Sequence, residues 1–232
     1  MKDFLLSLCF VLFASVHVSG QTQGLAPDRM APDRSSQNTA SSIRQDMRKL
    51  WSDHVVWTRD YIIAVIAGQP DQKAAADRLM KNQEDIGGAI AAYYGKATGD
   101  KLTGLLKEHV QIAVDVISAA KANQKAKLQT SNTRWKKNAE DIATFLSQAN
   151  PNWPKATLVS LMNTHLSTTT NEVTARLNKD WAGDVKAFDG VYAHILKMSD
   201  ALSDGIIKQF PEKFSDAGKA STTKNSGSKN GY

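Results

Sequence analysis

A short motif returns three times at a near-constant interval, and it constrains the fold more than any other feature of this 232-residue chain. Leu50-Trp-Ser-Asp-His54-Val matches Leu105-Leu-Lys-Glu-His109-Val and Leu161-Met-Asn-Thr-His165-Leu, at steps of 55 and 56 residues. A second motif keeps the same interval. Asn82-Gln-Glu-Asp-Ile86 matches Asn138-Ala-Glu-Asp-Ile142, and His194-Ile-Leu-Lys-Met198 falls into that register, at steps of 56 and 56 residues. A period of this length marks a supersecondary unit that recurs, because one such unit cannot bury its apolar face alone.

The unit is helical. Apolar residues recur at alternating steps of three and four through the middle of the chain, the period of an amphipathic helix. The pattern predicts helices over 40–67, 72–94, 100–121, 125–149, 155–177 and 181–208. The breaks hold turn residues: Gly68-Gln69-Pro70, Gly95 to Asp100, Ala122-Asn123, Asn150-Pro151-Asn152-Trp153-Pro154 and Asn178-Lys179-Asp180. No alternating strand pattern interrupts them. The expected fold is an all-α, six-helix up-and-down bundle built from three αα-hairpin repeats of about 56 residues. A four-helix bundle with a flanking hairpin is the alternative.

The ends read differently. Residues 4–16, FLLSLCFVLFASV, form an apolar run after Lys2, and Val18-Ser19-Gly20 supplies small residues for cleavage. This pattern predicts a signal peptide over residues 1–20 and an exported protein, periplasmic or extracellular. The rival reading, a membrane-spanning helix, needs a longer run. Residues 21–42 are a polar lead-in with a tandem Ala-Pro-Asp-Arg, 43–214 the bundle domain and 215–232 a Lys/Ser/Gly tail. The one cysteine, Cys9, lies in the apolar leader, which excludes a disulfide framework and a cysteine-based zinc site. Lys219, Lys224 and Lys229 of the tail carry half of the net charge of +6. The body shows no stripe of Lys and Arg of the kind a nucleic-acid binder displays. No further stretch of the mature chain is apolar enough to span a membrane.

Placed on helices, the repeated histidines take core slots. The first helix presents Ile43, Met47, Leu50, His54, Trp57 and Tyr61 on one seam. The third presents Leu102, Leu105, His109, Ile112 and Val116, and the fifth presents Leu158, Leu161 or Met162, His165, Thr168 or Thr169, and Glu172. Leu79, Gln83 and Ile86 share a face with Asn82 beside them. Trp135, Asn138, Ile142 and Phe145 share another, and Val191, His194 and Met198 a third. Alternate helices of an up-and-down bundle run the same way and rise about 1.5 Å per residue, so the histidines fall near one level. The sequence therefore predicts a buried His/Asn layer.

Three readings of that layer follow. In the first it is structural, with histidines bonded to Asn or Gln and fixing the register of the helices. In the second, His54, His109, His165 and His194 hold a transition metal, zinc or copper, which suits nitrogen ligands without cysteine. The Glu-x-x-His pairs of a carboxylate-bridged di-iron bundle are missing. In the third, Asn82, Asn138, Glu172, Trp57, Tyr61 and Trp135 complete a pocket for a small ligand, as a carrier or an enzyme. No nucleophile elbow, P-loop, dinucleotide fingerprint or HExxH motif is present. Asp53 and Glu108 directly precede their histidines and so point elsewhere. Asp184 is expected to cap a helix or to pair with an Arg such as Arg176, and Trp153 to staple a turn.

Several segments carry a resemblance. LWSDHVVWTRDYII (50–63), NQEDIGGAI (82–90), ANPNWP (149–154) and DGIIKQFPEKF (204–214) resemble a family of short, mostly bacterial, all-helical proteins, some of which carry the label glycosyltransferase. The resemblance spans about residues 48–214 and brings no catalytic residue with it. Nucleotide-sugar transferases are similar to one another in an α/β fold, often with a metal-binding Asp-x-Asp. This chain has neither that motif nor strand–helix alternation. The expected function is an exported, non-enzymatic binding protein whose His/Asn layer is able to hold a transition metal. A small-ligand carrier or enzyme using the same pocket is one alternative. The other is a purely structural interaction module whose tail touches an anionic surface.

Overall fold

The computed structural model describes residues 40–214. The expected signal peptide and the tail from 215 on lie outside the described residues, as does the lead-in except for Ala40, Ser41 and Ser42, which open the first helix. Six helices follow one another: α1 (Ala40–Ala67), α2 (Gln72–Tyr94), α3 (Lys96–Lys121), α4 (Lys125–Ala149), α5 (Lys155–Leu177) and α6 (Trp181–Gln209). A 3-10 turn at Pro211–Lys213 ends the described chain, where Pro211 stops α6. There is no strand among the described residues.

The one displaced boundary is instructive. The sequence marks Gly95 to Asp100 as a turn, yet α3 begins at Lys96 and Gly95 alone reverses the chain, at φ +84°. Gly99 lies inside α3 because the helices cross there in backbone contact. A Cβ on Gly99 would meet the Gly87 carbonyl oxygen at 2.5 Å, and a Cβ on Gly87 would meet the Gly99 oxygen at 2.8 Å. Glycine at this position is a packing device and not a helix stop.

Connections of one to five residues make consecutive helices antiparallel. Each helix packs on its neighbours in the chain, and α6 closes the ring against α1. That closure rules out the four-helix alternative. Arg44–Asp204 at 2.8 Å and Arg48–Asp200 at 2.6 Å line the α1–α6 seam. Both pairs are largely solvated and add little to stability. Burial of the apolar face does more. Ile62, Ile86, Ile195 and Ile206 are fully buried, and each contributes about 1.5–3 kcal/mol.

The turn between α4 and α5 is held on α6 from outside. Trp153 is buried and donates Nε1–H to the Leu202 carbonyl at 3.2 Å. Its ring occupies the space a side chain at Gly205 would need. Asn150 Oδ1 accepts from the Asn152 backbone N–H at 2.8 Å, closing the turn, and its amide reaches the Tyr94 hydroxyl at 2.8 Å.

Each helix buries two flanks against two neighbours, which shifts some seams by one residue. Trp51 and Leu106 are buried where Leu50 and Leu105 were expected, and those two leucines are half-buried. On α5 the open choices fall to Met162 and Thr169, and on α4 Leu146 is buried while Phe145 is half-buried.

Candidate functional site

The four histidines expected in one layer are brought together. His165 has its ring centroid 5.6 Å from His54, 6.1 Å from His109 and 6.5 Å from His194. All four are buried. They meet because α1, α3 and α5 run the same way and place their histidines at mid-length, with α6 delivering the fourth.

Their partners differ from hairpin to hairpin. Asn138 donates Nδ2–H to the Leu105 carbonyl at 3.1 Å, so its Oδ1 is the acceptor facing His109 Nδ1 at 2.8 Å. His109 therefore carries its proton on Nδ1, and its Nε2 accepts from Trp135 Nε1–H at 3.0 Å. Both ring nitrogens are engaged. His54 Nδ1 faces Gln83 Nε2 at 3.2 Å. Gln83 Nε2 also lies 2.8 Å from the Leu79 carbonyl and 3.2 Å from Asn82 Oδ1. His194 Nε2 donates to the Leu161 carbonyl at 2.9 Å. His165 Nδ1 is buried without a protein partner.

One bond recurs at matching positions. Asn82 reaches the Leu50 carbonyl at 3.0 Å, Asn138 that of Leu105 at 3.1 Å and His194 that of Leu161 at 2.9 Å. In the third hairpin the Asn position is occupied by His194, which spends its donor on the backbone. The positions matching Gln83 and Trp135 hold Ile195 and Val191. Neither side chain can bond a histidine, which accounts for the unpartnered nitrogen of His165.

Burial keeps the layer neutral. It pushes His54 down to about 3, with the repulsion that two protonated rings would suffer between His54 and His109 adding to it and the Gln83 bond opposing it. It pushes His109 down to about 4 against the Asn138 bond. His165 lies well below the ordinary histidine value through burial and its three histidine neighbours. His194 is lowered by burial against the pull of the Leu161 carbonyl.

Two small cavities flank the layer. Trp51, Leu106 and Met162, each three residues before a histidine, line one of ≈ 20 Å³ that is otherwise walled by apolar side chains. Thr58, Ala113 and Thr169, each four residues after a histidine, line the other, also ≈ 20 Å³, with His54, His109 and His165. Thr169 Oγ1 there has no protein partner either. Such a volume holds about one water molecule. It is far below the several hundred Å³ that an organic ligand fills.

The expected pocket residues divide accordingly. Tyr61 and Trp135 line the polar cavity. Asn138 stands behind His109 as its bonding partner, while Asn82 bonds the Leu50 carbonyl and Gln83. Trp57 is half-buried outside the cavity, with the Arg78 guanidinium of α2 5.4 Å from its ring centroid. Glu172 joins a separate charged cluster. Arg59 reaches Glu172 at 2.6 Å and both Asp184 oxygens at 3.0 Å, and Arg176 meets Asp184 at 3.1 Å. The expected Arg176–Asp184 pair is present, and Arg59 is the member sequence reasoning missed. Only its position on the edge of the α1 face could have signalled it. Burial pushes Glu172 up to about 7 although Arg59 pulls it down.

Among the described residues no group of three or more His, Cys, Asp or Glu side chains is disposed to hold a metal ion. The rings of His109 and His194 lie near-parallel to that of His165, at 27° and 18°, so these rings stack instead of turning their edges to one point. No described helix is long and apolar enough to cross a membrane. No family model matches this chain, and neither a curated protein nor a solved structure does.

Proposed function

We propose that this chain is an exported, non-enzymatic binding protein in which the histidine layer serves structure: it sets the register of three hairpins of about 56 residues, and binding is left to the outer surface. The apolar leader over residues 4–16 supports export. The observation that carries the structural role is His109, whose two nitrogens are both spent on Asn138 and Trp135. A ligating nitrogen must offer a free lone pair. The bond made three times over, from Asn82, Asn138 and His194 to three leucine carbonyls, supports the repeat.

A second reading has one observation in its favour. His165 Nδ1 is unpartnered and three other imidazoles surround it, so zinc or copper remains the competing occupant. Elemental analysis of the mature protein, purified without chelator, separates the two. The structural reading expects substoichiometric metal and a melting temperature that chelator leaves unmoved. Near-stoichiometric zinc or copper, lost in a His54→Ala, His109→Ala variant, overturns it.

A further inference from the structure

A groove of ≈ 590 Å³ lies between α4 and α5, and a second hollow of ≈ 280 Å³ continues it, sharing Lys136 and Asn163. The volume is in the range of ligand sites. Asn132 and Lys136 reach into it from α4, and Asn163, Ser167, Thr170 and Asn171 from α5. Asn163 to Asn171 is a length of about 12 Å along the helix.

Two features set this groove apart. First, its hydrogen-bonding groups are uncommitted: the side chains of Asn132, Lys136, Asn163, Ser167 and Asn171 have no hydrogen-bond or ion-pair partner among the described residues. Second, its α5 wall is without charge, and the charged lining comes from α4: Lys136 in the main hollow, with Lys137 and Glu140 in the continuation. The outer faces of α1 to α4 carry Lys–Asp pairs one turn apart: Lys49–Asp53, Lys73–Asp77, Lys96–Asp100 and Lys137–Asp141. On α5 no charged residue occurs between Lys155 and Glu172. Ser, Thr and Asn stand there instead, and all three are weak helix formers. Three of these threonines, Thr164, Thr168 and Thr170, bond back to the carbonyl one turn before them. Helix stability alone would favour Ala, Lys or Glu on a solvent-facing surface.

We propose that the α4–α5 groove binds a neutral oligosaccharide, and this rests on the reading of an exported binding protein. An Asn side chain presents a donor and an acceptor side by side, which matches adjacent hydroxyls of a sugar. Three such amides line one groove, with Lys136 as an extra donor and no carboxylate among the lining residues of the main hollow. The groove is open along its length, which suits a chain laid through it. Trp135 and Leu166, both buried, form a rigid floor, and Trp135 is tied to the histidine layer through His109.

The test uses the mature chain, nitrogen-15 labelled, titrated with cellohexaose, chitohexaose, maltohexaose, xylohexaose and mannohexaose. The expected result is that at least one shifts the side-chain amide resonances of Asn132, Asn163 and Asn171, insensitively to added salt. Asn163→Ala with Asn171→Ala then weakens binding about tenfold, while the melting temperature stays put because both residues are exposed. Two results overturn the proposal: no hexasaccharide moves these resonances, or the shifts map elsewhere. Metal loading of the histidine layer, which would undo the structural reading, changes none of these outcomes.

Discussion

On one face of the histidine layer Trp51, Leu106 and Met162 enclose an apolar void, and on the other Thr58, Ala113 and Thr169 enclose a polar one of the same volume, ≈ 20 Å³. The apolar void costs mainly lost dispersion contacts, although Trp51, one of its lining residues, also has a buried Nε1–H without a protein partner. The polar void holds His165 Nδ1 and Thr169 Oγ1, which lack protein partners and each need water. Equal emptiness therefore has different consequences, and the chemistry of the wall decides which. The same contrast holds within the layer itself, where His109 is fully bonded and His165 is not.

Acid strikes the layer hardest. His54 and His109 are held down to about 3 and 4 in the folded chain, against about 6.5 when unfolded. As pH falls through about 6.5 the unfolded chain takes up protons that the folded chain refuses, so this stability is complete only above the unfolded value and is lost as pH falls towards the folded values of about 4 and 3. The slope is up to about 1.4 kcal/mol per pH unit for each such histidine. Glu172 works in the opposite direction. Its folded value of about 7 lies above its unfolded one, so it loses stability as pH rises between about 4.5 and 7. It offsets one histidine, and Glu172→Gln should steepen the acid limb. Urea unfolding midpoints measured from pH 7 to pH 4 check both.

The next effect separates the two histidines. His109→Leu strands Asn138 Oδ1 and Trp135 Nε1 in the core, an expected loss of about 3–5 kcal/mol. His165→Leu strands no bonded partner on its Nδ1 side and should cost under about 1 kcal/mol, or stabilise. Denaturant titration of the two variants at pH 8 decides it, and equal losses would erase the distinction.

The smallest effect concerns the voids. Thr169→Val removes one polar group from the wall of the polar cavity and should cost about 1 kcal/mol by weakening the hold on a buried water. Met162→Leu, on the apolar side, should change stability by less than about 1.5 kcal/mol. Thermal melts together with a high-resolution electron-density map of the polar cavity test the pair. A Thr169→Val variant more stable than its parent would mean the cavity is dry.

Much of this molecule was legible in its residues. Helix ends agree to within a residue except at α3, where a packing glycine reads like a turn glycine because composition cannot distinguish the two. The histidines were legible as a group because helical period and repeat interval together specify both face and height. The seams at Leu50 and Trp51, and the placement of Trp57, were not. A 3.6-residue period leaves about one residue of freedom in the buried direction, and the crossing of neighbouring helices settles it. The charged cluster around Arg59 joins α1, α5 and α6, and no local pattern links residues so far apart in the chain.

Sequence by itself determined that the chain is helical, where its helices turn, and that four imidazoles share a core level, because periodicity and turn chemistry are local. Only the tertiary structure decided which ring nitrogens have partners, which side of the layer is walled by polar side chains, and that α4 and α5 leave a groove between them whose α5 wall is uncharged. Hydrogen bonding is directional and cavity volume depends on several helices at once, so neither can be read from spacing along one of them.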